Sequence, residues 1–184
     1  MRLSGFLSIA SIILEDGQVM SAREARKAGL LDVPDLATED WPTIGPDELP
    51  IGTNVHTDAG RQLMIYCWGG RSPVTDYIAS QFGIGTGTTP ETVGDLALEA
   101  PLTFYDSDAD SVPDSELKPV NSIDYPEPFI ARVSITIADT EAQGVLITEA
   151  GLFSGNGTLL NRAILDAPIN KGTSARNFLW RLRF

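Results

Sequence analysis

Asp106, Asp108 and Asp110 alternate within the stretch YDSDADSVPDSE. Oxygen ligands at positions one, three and five are how calcium loops wrap a hard cation. The pattern then departs from such a loop. Ser111 stands where the turn needs glycine, Leu117 stands where a bidentate glutamate belongs, and Glu116 misses that place by one. These three aspartates are the candidate metal ligands, and the stretch is expected to be a solvated acidic loop.

A second stretch, GIGTGTTP at residues 83–90, has the composition of a phosphate cradle. Its spacing is wrong for one. A P-loop needs a lysine directly after its last glycine, and the chain has none between Lys27 and Lys118. In the dinucleotide fingerprint Thr88 would occupy the third glycine position. Glu91, Asp95 and Glu99 follow and would repel a phosphate. Gly83, Gly85 and Gly87 are therefore expected to touch no ligand and to turn a strand tightly into a helix start. At least one is expected to take a positive φ. No cofactor is expected.

The remaining chemistry is sparse. His56, the single histidine, sits two residues before Asp58, and nothing places a serine or Cys67 beside it as a nucleophile. It is expected at the surface. Glu149 is a carboxylate on an otherwise apolar strand, and a structural hydrogen bond or an interfacial ion pair accounts for it better than catalysis. The chain is expected not to be an enzyme.

These residues must be positioned by a chain of 184 residues with formal net charge −12. That charge argues against partners such as nucleic acid or an anionic membrane, which need clustered lysine and arginine. One cysteine excludes an intrachain disulfide. The apolar run Gly5–Leu14 is too short to span a bilayer and lacks a signal-peptide cleavage site. It is expected to be a strand or an arm that docks on a partner.

Residues 1–50 are expected to form an N-terminal arm, and residues 51–184 a β-rich domain. In the arm, Ser21 and Glu24 set up a capping box for one short helix. Pro34, Pro42, Pro46 and Pro50 then exclude helix and central strand. Trp41, Ile44 and Leu49 suggest packing on neighbouring chains. In the domain, Asp58 is the expected N-cap of a helix carrying Leu63, Met64, Cys67 and Trp68 on one face, ended by Gly69-Gly70. A short helix is expected over PETVGDLALEA. The second half alternates. Phe129, Ala131, Val133, Ile135 and Ile137 share one face of a strand, and Phe178, Trp180, Leu182 and Phe184 share one face of the last. Gly151 suggests a bulge, SGNG a hairpin turn and APINKG another turn. The fold class expected is α+β, mainly β, an antiparallel sheet or sandwich with one or two short helices packed on it.

The segments TDAGRQLMIYCWGG, YIASQFGIGTGTTPETVGDLALEAPL, FIARVSITI, GVLITEAGLFSGNGTLLNRAIL and FLWRLRF occur in that order. The series resembles a domain of tailed-bacteriophage structural proteins, the tail-collar fibre proteins and related fibre or baseplate proteins, over about residues 54–184. ITEAGLF carries most of the likeness. The resemblance implies a virion structural part with no catalysis, made in the host cytoplasm and assembled with copies of itself and with other tail, collar or fibre proteins. With no shaft after Phe184 and an arm in front, it suggests an adaptor, collar or baseplate-proximal component that anchors something else. A carbohydrate- or receptor-binding β-module of a tail fibre is the alternative.

Charge is divided along the chain. Residues 85–128 hold ten acids and one base, a net of −9, while residues 162–184 hold five bases and one acid, a net of +4. Either the two segments neutralise each other within one chain, or they meet between neighbours in a ring. The second possibility puts Arg181 or Arg183 within ion-pair distance of an acid on an adjacent chain. Trp41, Glu149, Arg181 and Arg183 are thus the candidate interaction residues.

Overall fold

Alternation of apolar and polar residues builds most of the molecule. The computed structural model describes residues 4–14, 16–32, 48–71, 73, 78–108, 110–128 and 130–183. Its strands are β1 (Ser4–Ile13), β2 (Val19–Ser21), β3 (Leu49–His56), β4 (Ala79–Gly85), β5 (Leu117–Pro119), β6 (Ser122–Glu127), β7 (Ile130–Ile137), β8 (Leu146–Ser154), β9 (Leu159–Asn170) and β10 (Ala175–Arg183). Two helices join them, α1 (Ala22–Lys27) and α2 (Asp58–Trp68). The fold is α+β and mainly β, a single antiparallel sheet in the order β5-β4-β8-β9-β3-β1-β10-β7-β6, with β2 added on β1.

The sheet curls into a half-barrel, and one ribbon joins its ends. Only Val120 and Asn121 separate β5 from β6. Val120 N donates to Ser80 O of β4 (3.0 Å), and Asn121 N donates to Ser134 O of β7 (2.8 Å). Strands from opposite ends of the sheet therefore share one core. Phe82 of β4 packs against Phe178 and Trp180 of β10, with ring centroids 6.0 and 6.3 Å apart. Val133, Ile135 and Ile137 of β7 are buried beside them, as the alternation requires.

The division at residue 50 does not follow the fold. β1 lies between β3 and β10, pairing Ser4 with Arg183 and Ile13 with Ala175 along one side and Ser4 with Val55 along the other. Leu7, Ile9 and Ile12 are fully buried. Residues 4–13 are thus an interior strand and not an arm, because their apolar run finds its partners in β3 and β10. Pro50 also lies within a strand, at the point where the β1–β3 register slips between Leu7 and Ser8. A proline is tolerated at such a bulge because no ladder hydrogen bond depends on it there. Trp41, Ile44, Pro34, Pro42 and Pro46 lie outside the described residues.

α1 starts as the sequence predicts. Ser21 accepts from Glu24 N, and the Glu24 side chain returns to Ser21 N. Ala22 and Ala25 turn inward. In α2 the cap is Thr57 rather than Asp58, with Thr57 Oγ1 accepting from Gly60 N (3.0 Å). A Cβ on Gly60 would sit 2.8 Å from Leu160 O, so glycine there lets the helix lie directly on β9. Only Gly60 and Leu63 of this helix are buried. Trp68, expected on its packed face, is 92 % exposed.

An interior strand cannot be removed without leaving two others unpaired. A chain lacking residues 1–14 is expected to lose its cooperative thermal transition and its compact elution volume. A sharp melt retained in the shortened chain would show that β1 is dispensable.

Candidate functional site

The two stretches that attracted attention in the sequence, GIGTGTTP and ITEAG, form one site. β4 and β8 are neighbours, with Gly83 opposite Gly151 and Gly85 opposite Glu149. This pairing aims the Glu149 side chain into the loop that leaves β4. The carboxylate has no exposed surface. Its Oε1 accepts from Gly87 N (3.1 Å) and Ala100 N (2.7 Å). Its Oε2 accepts from Glu99 N (3.0 Å) and from Arg162 Nε on β9 (2.9 Å).

The glycines of the loop are required, but for close approach and not for a turn. None of Gly83, Gly85 and Gly87 has a positive φ, contrary to expectation. A Cβ on Gly85 would lie 2.4 Å from Glu149 Oε1 and 2.6 Å from Ala100 O, and one on Gly87 would lie 2.6 Å from the same Oε1. The loop does cradle an anion, and that anion is a side chain of the same protein. Gly151 is held by a related constraint, since a Cβ there would meet Phe153, Leu159 and Leu98 at about 3 Å. The β8–β9 register slips on either side of it, between Ile147 and Glu149 and between Leu152 and Phe153.

No helix follows the loop. Residues 90–100 are irregular because their carboxylates are drawn elsewhere. Asp95 accepts from Thr92 N (3.0 Å), from Thr92 Oγ1 (2.7 Å) and from Arg162 Nη1 (2.8 Å). Glu99 accepts from Thr88 N and Thr89 N (both 2.8 Å) and lies 3.6 Å from Arg162 Nη2. Hydrogen bonds from the Thr89 hydroxyl and backbone hold the Glu99 carboxyl below its usual range. For Asp95, burial pulls upward, but the Thr92 backbone and Arg162 outweigh it and lower the value. Burial likewise opposes the charge on Arg162, and its bonds to Asp95 and Glu149 overcome that and raise it. Sequence reasoning singled out Glu149 and missed Arg162, Asp95 and Glu99 as its neighbours. The helix expected over PETVGDLALEA gave no reason to bring Asp95 and Glu99 to an arginine on another strand.

The chemistry of this constellation is positional. Every Glu149 oxygen already accepts two hydrogen bonds, so the carboxylate has little capacity left to take a substrate proton. It is also not an interaction residue at the surface. Arg181 is corrected in the same way. Its guanidinium, 4 % exposed, donates through Nη2 to Glu48 Oε1 (2.7 Å) and through Nη1 to Glu48 Oε2 (2.5 Å). Ser8 Oγ donates to the same carboxylate (2.9 Å). Arg181 thus spends its charge inside its own chain. The backbone of Arg183 pairs with Ser4 and Ile130, and its side chain lies outside the described residues. Trp41 lies outside them too.

Asp106, Asp108 and Asp110 do converge, with one carboxylate oxygen from each within 4.8 Å of the others. Their oxygens are engaged by the loop itself. Asp106 accepts from Asp110 N (3.1 Å) and Ser111 N (2.7 Å), and Asp110 accepts from Val112 N (2.8 Å). Ser111 takes the positive φ that the sequence pattern reserves for glycine. His56 is buried, not at the surface. Asn161 Nδ2 lies 3.0 Å from its Nδ1, and burial, with a smaller contribution from the Arg61 charge, pushes its pKa down to about 4.

No family model, curated protein or solved structure matches the chain. Among the described residues no helix is long and apolar enough to cross a membrane.

Arg162→Met leaves the buried Glu149 carboxylate with backbone donors and no cation, and should cost about 3–5 kcal/mol in denaturant unfolding, while Glu149→Gln, which leaves Arg162 its bond to Asp95, should cost less. Gly85→Ala should also destabilise, by displacing Glu149, whereas Gly94→Ala should not, because a Cβ there has room. His56 gives a pH dependence with a definite sign. The unfolded imidazole binds its proton near 6.5 and the folded one only near 4, so acid favours the unfolded chain between those values. The stability His56 contributes is complete above pH 6.5 and falls by about 3 kcal/mol towards pH 4. A His56→Gln variant should lose that part of the slope in matched melts.

Proposed function

We propose that this chain is a bacteriophage virion structural protein, an adaptor, collar or baseplate-proximal component that anchors fibres or links tail parts in a symmetric assembly. Its partners in this reading are copies of itself and other tail, collar or fibre proteins, and it carries out no catalytic step. The observation that supports it best is the unity of the resembling segments. The IGTGTT loop, the acidic D-x-A-L-E segment, the ITEAGLF strand and the arginine of the LLNR strand are scattered over some eighty residues. All four meet at the Glu149 carboxylate, so the segments that carry the likeness form one packed unit in this chain.

A part that assembles needs surfaces to assemble with. Ile65 and Trp68 on α2, Leu96 and Tyr125 are large apolar side chains left in solvent. Exposed apolar groups of this size are used for protein contacts when they are grouped. The same exposed Trp68 and Tyr125 also suit the second reading, a carbohydrate- or receptor-binding module, since aromatic faces stack on sugars.

The test is made on particles. Mass spectrometry of purified tailed particles from the genome that encodes this chain should find it, and gold-labelled antibody should mark one place on the tail. Its absence from particles while it accumulates in the lysate would overturn the proposal. Trp68→Ala should change stability by no more than about 0.5 kcal/mol, as for other exposed sites, yet reduce incorporation. Retained incorporation together with lost glycan-array binding would favour the second reading.

A further inference from the structure

Two cations are buried at one end of the half-barrel, and among the described residues neither is hydrogen-bonded to a carboxylate through its buried nitrogens. Lys171 opens the turn between β9 and β10 and has no exposed surface. Arg176, near the start of β10, is 4 % exposed. It lies on the face of β10 that carries Phe178, Trp180 and Leu182, opposite the fully buried Ile12 and Ile137. Among the described residues, Lys171 Nζ and Arg176 Nε and Nη1 have no hydrogen-bond partner. Arg162 and Arg181, the other buried arginines of these strands, are each matched by carboxylates. Burying an ion without a partner costs several kcal/mol, and proteins rarely do so without a use for it.

The nearby acids are not available. Glu141, in the loop 138–145 between β7 and β8, receives both contacts from Lys118 Nζ of β5 (2.6 Å each) and one from Ala138 N (2.7 Å). Asp139 is exposed and accepts from Thr140 N (2.9 Å). Lys171 N donates to Val145 O (3.1 Å), so the same loop covers the lysine. The charged groups around Lys171 are thus Lys118, Asp139, Glu141 and Arg176. Setting aside the exposed Asp139, they leave a surplus of positive charge in a buried place. Asp139, Thr140, Gln143 and Gly144 are exposed, so one short loop separates the cations from water.

We propose that Lys171 and Arg176 form an anion site that takes a small oxyanion, inorganic phosphate or a carboxylate, between the β9–β10 turn and the loop 138–145. The three free nitrogens suit a ligand with at least two free oxygens better than a halide. An arginine presents a fork to such a group, and a lysine adds a point charge. Bound there, the ligand joins β7, β8, β9 and β10 at their loop ends. The electrostatics agree. Burial and the neighbouring Arg176 charge push the Lys171 ammonium down to about 8, the behaviour of a cation that lacks its counter-ion.

The test uses the full chain with inorganic phosphate, acetate and chloride at matched ionic strength. Phosphate at pH 7 should raise the melting temperature along a saturable curve, and chloride should not. An acetate response would show that a carboxylate, and hence an acidic side chain of a partner, is accepted. Without one, free phosphate is the ligand. Lys171→Met and Arg176→Met should each weaken the phosphate response at least about tenfold, the loss of a charged hydrogen bond, while the exposed Lys27→Met should keep it. Should either variant fail to fold, 31P line broadening on the unaltered chain decides, since binding should weaken as pH rises through about 8. A response that does not saturate, survives in both variants or ignores that pH range would overturn the site.

Discussion

A carboxylate with no exposed surface must be satisfied where it stands, and Glu149 sets the terms for the segments around it. Four donors reach it, from the β4 loop, from the segment before β5 and from β9. None of these segments is a neighbour of Glu149 in sequence. Three come within reach only because β8 lies between β4 and β9 in the sheet. The dependence runs both ways. The sheet positions the carboxylate, and the carboxylate fixes a stretch of some fifteen residues that has almost no regular structure of its own. A pair of apolar side chains could fill the same volume with equal stability. They would not specify which backbone N–H groups turn inward, and so would not fix the loop.

The half-barrel shows how polar groups can be admitted to a small core. The middle is aromatic and aliphatic, with Phe82 bridging to Phe178 and Trp180 across the curl. Charged groups are placed at the margins, each beside a loop that can supply hydrogen bonds. Glu149 meets Arg162, Glu48 meets Arg181, and Glu141 meets Lys118. Lys171 and Arg176 depart from this rule.

What could be read from the sequence divides along physical lines. β7 and β10 have period-two alternation over eight or more residues, and their buried faces were legible. So was α1, whose capping box is a contact between residues three apart. Contacts at long range were not legible. The apolar run of β1 gave no sign that its partners are β3 and β10, and proline content in the following stretch argued for an arm. The helix assigned to residues 90–100 failed for a related reason. Its acids have a helical spacing, but Arg162, more than sixty residues on, decides their conformation. The glycine loop was recognised as structural. The reason for its glycines, side-chain volume and not φ, depends on a carboxylate that arrives from another strand.

The charge division along the chain also takes a different meaning once the partners are known. From the sequence, the acidic segment and the basic C-terminal strands can attract either within one chain or between neighbours. Asp95 and Glu99 meet Arg162 within one chain, and Arg181 is occupied by Glu48. The cations of the last strands are therefore largely spent or buried, while many acids remain outside, including Asp108, Asp110, Asp114 and Glu116. Among the described residues, these acids stay exposed while Arg162 and Arg181 are occupied inside. In the assembly proposed above, contact between copies would then rest on exposed apolar side chains such as those of α2. The attraction of Asp95 and Glu99 for Arg162, and of Glu48 for Arg181, acts within one chain.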